Sequence, residues 1–150
     1  MIEDIPFLLE SLRNYYDRTL LMKVAYWPDL DSFRFLLSFD QDLNVANMDG
    51  WNIAHYIVFG SRDDNVVELL EMLKTKITKR MFKRLINNVN RYGRSSLHNA
   101  AKKNRHKTII FLIENGANIN IRDYHDLLPE EHKRCDEETK QIFRKYRKQW

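Results

Sequence analysis

The chain has 150 residues, 43% hydrophobic and 31% charged, with a formal net charge of +4 at neutral pH. That is enough apolar material for one elongated core, so a single domain is expected. No apolar run approaches the roughly 20 residues of a membrane span, the acidic opening MIEDIPFLLESLR lacks the layout of a signal peptide, and the lone Cys135 cannot close an internal disulfide. The expected setting is intracellular, cytoplasmic or nuclear.

In chain order, residues 1–13 place Ile5, Phe7, Leu8, Leu9 and Leu12 on one face of a short amphipathic helix that can cover the first repeating unit. From there the chain repeats itself. Turn residues Asp17, Gly50, Gly93 and Asp126 stand 33, 43 and 33 residues apart. Each is followed by a helix start, from Thr19 to Met22, Asn52 to His55, Ser95 to His98 and Leu128 to Glu131. A second helix then carries a recurring pair, Leu36 and Leu37, Leu69 and Leu70, Leu112 and Ile113, and Lys145 and Tyr146. Gly50 and Gly93 suit a turn of positive φ. Thr19, Asn52 and Ser95 are of the types that cap helix donors, and Pro129 fits a first helical position. The small pair Ala100 and Ala101 permits close approach of a facing helix bearing Ile109, Leu112 and Ile113, and Gly116 ends that helix. The units are therefore 14–46, 47–89, 90–122 and a polar capping unit, 123–150, where Glu130, Glu131, Lys133 and Arg134 stand in place of stacking residues. A period of this size predicts an all-α solenoid of turn, helix, loop, helix, whose function sits on a surface and not in a catalytic cleft.

The ten extra residues of the second unit fall between Leu70 and Asn87. Leu69, Leu73, Ile77, Met81 and Leu85 recur every four residues, so the second helix continues or yields to a short extra helix capped by Thr78. The outer positions, Lys74, Lys76, Lys79, Arg80, Lys83 and Arg84, read most simply as a solvated face, with a nuclear-import or acidic-partner patch as the alternative. Charge is also divided along the chain. Residues 1–73 hold 5 Lys+Arg and 13 Asp+Glu, a balance of −8, and residues 74–150 hold 20 and 8, a balance of +12. In a solenoid that order becomes an acidic end and a basic end.

Residues 90–122, NRYGRSSLHNAAKKNRHKTIIFLIENGANINIR, resemble an ankyrin repeat: GRSSLHNAA stands where that family has G-x-T-P-L-H-x-A-A, and IIFLIENGANIN where it has V-x-x-L-L-x-x-G-A-x-x-N. The likeness extends in weaker form from about Asn14 onward, with Met22, Ala54, and Glu130 with Glu131 departing from the pattern. The resemblance implies that His55 and His98 tie adjacent units by hydrogen bonds and are not catalytic. It also implies which positions leave packing and face the concave side. These are Tyr15, Tyr16, Arg18, Tyr26 and Trp27 in the first unit, and Met48, Asp49, Trp51, Phe59 and Gly60 in the second. The third contributes Arg91, Tyr92, Arg94, Lys102 and Lys103, and the fourth Tyr124, His125, Leu127, Cys135 and Asp136. Aromatic anchors (Tyr15, Tyr16, Tyr26, Trp27, Trp51, Phe59) with Met48 and Tyr92 alongside, and a cationic clamp (Arg91, Arg94, Lys102, Lys103), are expected to hold another protein. Trp27 and Phe59 are the anchors expected to lie partly in the core.

Other chemistry finds little support. The four glycines form no phosphate loop, His132 and Cys135 lack the second pair of a structural zinc site, and the −8 half would repel a nucleic acid drawn to the basic half. No cofactor, metal, membrane or nucleic-acid partner is expected. Short ankyrin-only proteins include inhibitor-of-NF-κB-like proteins of insect and viral origin and regulators of protein kinases, so the resemblance implies a Rel-type transcription factor or a kinase as partner. An assembly subunit associating through Leu127, Leu128, Phe143, Tyr146 and Trp150 is the other class.

Overall fold

The computed structural model describes residues 12–13, 17–27, 29–60 and 63–149. The expected N-terminal helix, except Leu12 and Arg13, falls outside them, as do Tyr15, Tyr16 and Trp150. Among the described residues there are eight α-helices: α1 Leu20–Tyr26, α2 Leu30–Ser38, α3 Ile53–Gly60, α4 Asp63–Lys76, α5 Lys79–Asn87, α6 Ser96–Lys102, α7 His106–Glu114 and α8 Glu137–Lys148, with a 3-10 turn at Pro129–Glu131. They stack in two layers. The inner layer runs α1, α3, α6 and the 3-10 turn, and the outer layer runs α2, α4, α7 and α8, each inner element pairing with its outer neighbour as a hairpin.

The turns that join the units are set by backbone sterics. Asp17, Gly50, Gly93 and Asp126 all have φ between 60° and 77°, the left-handed region, at the positions marked by the repeat. Three residues before each of the last three stands a side-chain acceptor that closes the finger. Asn47 Oδ1 accepts from the Asp49 and Trp51 N–H groups, Asn90 Oδ1 from Tyr92 and Arg94, and Asp123 Oδ1 from His125 and Leu127. Adjacent fingers are joined where the Arg91 N–H donates to Asp49 O at 2.9 Å and the Tyr124 N–H to Tyr92 O at 3.0 Å.

Helix starts follow their caps. Thr19 Oγ1 accepts from the Met22 N–H at 3.2 Å, and Asn52 Oδ1 from the His55 N–H at 3.1 Å. In the third unit the Ser95 N–H donates to His98 Nδ1 at 3.2 Å. The fourth unit has Glu131 in that register, and its carboxylate takes the Leu128 N–H at 2.7 Å. The inner element there is a single 3-10 turn, Pro129–Glu131, and not a full helix.

The insertion resolves into both expected alternatives. The second helix of unit two runs on to Lys76, and Thr78 then caps α5, its hydroxyl accepting from the Met81 N–H at 3.1 Å. Phe82, Leu85 and Ile86 face the core from α5, which packs on α3, α4 and α6. Asn87 fastens its end to the next unit, with Nδ2 donating to Gly116 O at 2.9 Å and Oδ1 accepting from the Asn118 N–H at 2.7 Å.

Two expectations about the fourth unit fail. Cys135, placed by the register on the concave face, is buried, and its thiol sits 3.4 Å from Ala101 O and Pro129 O. The shortened inner element swings that residue into the seam with α6, and burial pushes the thiol pKa up to about 11. Phe143, offered as a self-association residue, is fully buried because α8 needs an inward anchor to cover α7.

Candidate aromatic site on the concave face

The site begins with a missing side chain. Gly60 ends α3 against the last turn of α1, and a Cβ there would lie 2.5 Å from Tyr26 Cα and 2.7 Å from Tyr26 O. Because nothing projects, the Tyr26 and Phe59 rings stack at 6.5 Å with an interplanar angle of 28°. Trp27 meets the edge of Tyr26 at 5.5 Å. Trp51, just after the finger of unit two, stands edge-on to Phe59 at 5.0 Å and tilts against Tyr56 at 5.6 Å. These spacings are those of favourable edge and offset ring pairs.

Cations and hydrogen bonds hold the rings. Lys103 Nζ lies 4.2 Å from the Phe59 centroid, and the Arg18 guanidinium 5.7 Å from that of Tyr56. Asn47 Nδ2 donates to the Tyr56 hydroxyl at 2.7 Å, and burial raises the pKa of that hydroxyl. Arg91 pairs with Asp49 at 2.7 Å and lies 5.0 Å over Tyr92. Tyr26, Trp27, Trp51, Phe59 and Tyr92, with Arg18, Lys23 and Asp49, line one open cavity of about 580 Å³.

The residues singled out from sequence divide accordingly. Tyr26, Trp51, Phe59 and Tyr92 share the cavity, with Trp51 and Phe59 half-buried. Trp27 corrects an expectation: it is 78% exposed and not core, since it lies just past the end of α1, where among the described residues no helix covers it. Met48 is exposed at a finger tip outside the cavity lining. Tyr15 and Tyr16 lie outside the described residues.

The proposed clamp is less uniform than its sequence suggests. Arg94 is drawn inward, where Nε meets the buried carboxylate of Asp123 at 3.1 Å. Burial works against that carboxylate, yet hydrogen bonds from the Leu127 N–H and the Arg94 side chain hold its pKa below the usual range. Arg94 therefore fastens units three and four. Lys102 is half-buried, and its pKa is lowered by burial and by the nearby Arg94 and Arg134 charges. Lys103 and Arg91 remain at the rim. The finger-closing Asn47, Asn90 and Asp123 escape sequence reasoning, although their fixed offset of three before each left-handed turn residue is there to be read.

The histidines act within the scaffold. His55 Nε2 donates to Arg94 O at 2.9 Å, joining units two and three, and His98 Nε2 reaches Leu127 O at 3.3 Å, joining three and four. Burial lowers the pKa of His55 to about 4 and lowers that of His98 as well. Among the described residues no group of three or more His, Cys, Asp or Glu side chains is placed to hold a metal ion, and no helix is long and apolar enough to cross a membrane.

Stacked helical hairpins, hydrogen-bonded fingers and an aromatic concavity define a repeat scaffold that presents a surface. The model of the ankyrin-repeat family matches residues 21–123 in three copies, and the chain belongs to that family. Ankyrin repeats are protein–protein interaction modules and are generally non-enzymatic. No curated protein sequence matches the chain significantly.

Proposed function

We propose that the chain is a non-enzymatic adaptor or inhibitor, working in the cytoplasm or nucleus, that holds one regulatory or signalling protein across its concave face. The observation that carries this reading is Trp27. A tryptophan 78% exposed, beside half-buried Tyr26, Trp51 and Phe59 in one cavity, leaves apolar area that a partner side chain can cover. Arg91 and Lys103 at the rim contribute to encounter more than to residence.

Two partner classes are suggested by the family. A Rel-type transcription factor with a basic segment suits the exposed carboxylates Asp29, Asp31, Asp40 and Asp42 of unit one. A protein kinase gripped by the aromatic cavity is the alternative. Binding to a Rel-type target falls steeply with salt, whereas the aromatic grip falls less.

The direct test is Trp27→Ala, because this ring supports little of the fold. Stability is expected to change by less than about 0.5 kcal/mol, and affinity for the partner to fall about 30-fold or more. Trp51→Ala is the poorer probe, since Trp51 packs against Tyr56 and Phe59. Unchanged affinity in a folded Trp27→Ala protein rules out the concave aromatic site.

A further inference from the structure

Helix α5 belongs to the ten residues by which unit two exceeds its neighbours, and its outward face carries charge of one sign. Lys76, Lys79, Arg80, Lys83 and Arg84 are exposed, and the sequence from Lys74 to Ile86 contains no Asp or Glu. Among the described residues none of these five has a carboxylate within ion-pair distance. Lys74, near the end of α4, does meet one, Glu71 at 3.6 Å. Arg34, Arg91, Arg94, Arg122, Arg144 and Arg147 elsewhere each sit against a carboxylate, and what sets the α5 region apart is that these five cations share one short segment with no acidic residue.

The placement works against the helix itself. Lys79 and Arg80 occupy the first turn, where the aligned backbone dipoles favour anions. Lys79 and Lys83, and Arg80 and Arg84, are like charges four residues apart, which repel. Because Phe82, Leu85 and Ile86 are locked in the core, the helix cannot rotate to disperse them.

Exposed carboxylates are also near: Glu68 and Glu71 stand on α4, which packs on α5, and Glu114 ends α7. Lys83 lays its stem over Gly116 and shares an open groove of about 1000 Å³ with Asn87, Ile113, Asn118, Arg147 and Glu114, whose carboxylate takes the Tyr146 hydroxyl at 2.9 Å. A short carboxylate-rich segment can set its charges on α5 and its other side chains in that groove. A phosphodiester, charged at every unit, would bring charge against the Glu114 carboxylate in that groove, whereas a peptide can set uncharged side chains there. We infer that α5 is a second docking surface, separate from the concave site, for an acidic segment of a partner protein.

The test uses the full chain and two labelled probes, a short Glu/Ala peptide and a single-stranded DNA oligonucleotide of equal charge, with binding read by fluorescence anisotropy at low salt. The variant Lys79→Glu/Arg80→Glu/Lys83→Glu is compared with Lys140→Glu/Lys145→Glu/Lys148→Glu on α8, which changes net charge equally. The α5 variant is expected to lose the peptide about tenfold or more, and the α8 variant less than about threefold. Folding is checked by circular dichroism, and carboxylates in the first turn of α5 are expected to preserve its helicity. The neutral pair Lys79→Gln/Lys83→Gln, with an intermediate loss expected, serves if the reversal disturbs folding. Equal losses in the two triple variants, no peptide binding by the unmodified chain, or tighter binding of the oligonucleotide than of the peptide each overturn the inference.

Discussion

Acid should loosen this molecule at its inter-unit seams before it reaches the carboxylates. His55 is buried and its pKa is lowered from 6.5 to about 4, whereas an unfolded chain restores the ordinary value. Between those values the unfolded state binds more protons than the folded state, so stability falls as pH is lowered. At pH 5 an imidazole of pKa 6.5 is almost fully protonated when unfolded and nearly unprotonated when folded, which corresponds to a loss of about 2 kcal/mol relative to pH 8. His98, shifted in the same direction by burial, adds to it. Urea denaturation between about pH 8 and pH 5, on the native chain and on His55→Gln, measures the effect. The native chain should lose stability across that range, and the variant, less stable at pH 8, should lose markedly less. The ring also offers its own refutation. Asn52 Oδ1 lies 2.8 Å from His55 Nδ1, a contact that a second ring proton would turn into a hydrogen bond. If NMR titration finds His55 titrating at or above 6.5, the ring is a charged donor to both Asn52 and Arg94, and the acid loss must come from elsewhere.

Two further substitutions test the scaffold. Gly60→Ala is expected to cost about 1–3 kcal/mol in chemical denaturation, because its methyl group would lie 2.5 Å from the Tyr26 backbone, and to change the near-ultraviolet circular dichroism of the Tyr26–Phe59 cluster. Asn87→Ala removes a side chain that bridges the end of α5 to Gly116 and Asn118, and a loss of about 1–2 kcal/mol in the urea midpoint analysis is expected.

The fold is legible in the sequence because its signals are local. A left-handed turn residue, a cap two residues later and a leucine pair lie within one unit, and the unit recurs. Thr78 can be assigned as a cap for the same reason. The site is legible only in part. Tyr26, Trp51 and Phe59 converge because the register places them on one side, but whether a ring is covered depends on which element packs over it, and among the described residues no helix packs over Trp27. The inward pull on Arg94 comes from Asp123, 29 residues on and in another unit, so no local pattern announces it. Cys135 departs from its expected place because the repeat register presumes a full inner helix where the chain makes one 3-10 turn.

Glu131 occupies the place that a histidine holds in the two preceding units, and the exchange has a directional consequence. An imidazole has two nitrogens, one accepting from its own helix start and the other donating onward to a neighbouring carbonyl. A carboxylate only accepts. With Glu131 engaged by Leu128 and Arg122, the forward-pointing donor is missing, and any further hairpin stacked beyond it would have to be fastened by different chemistry.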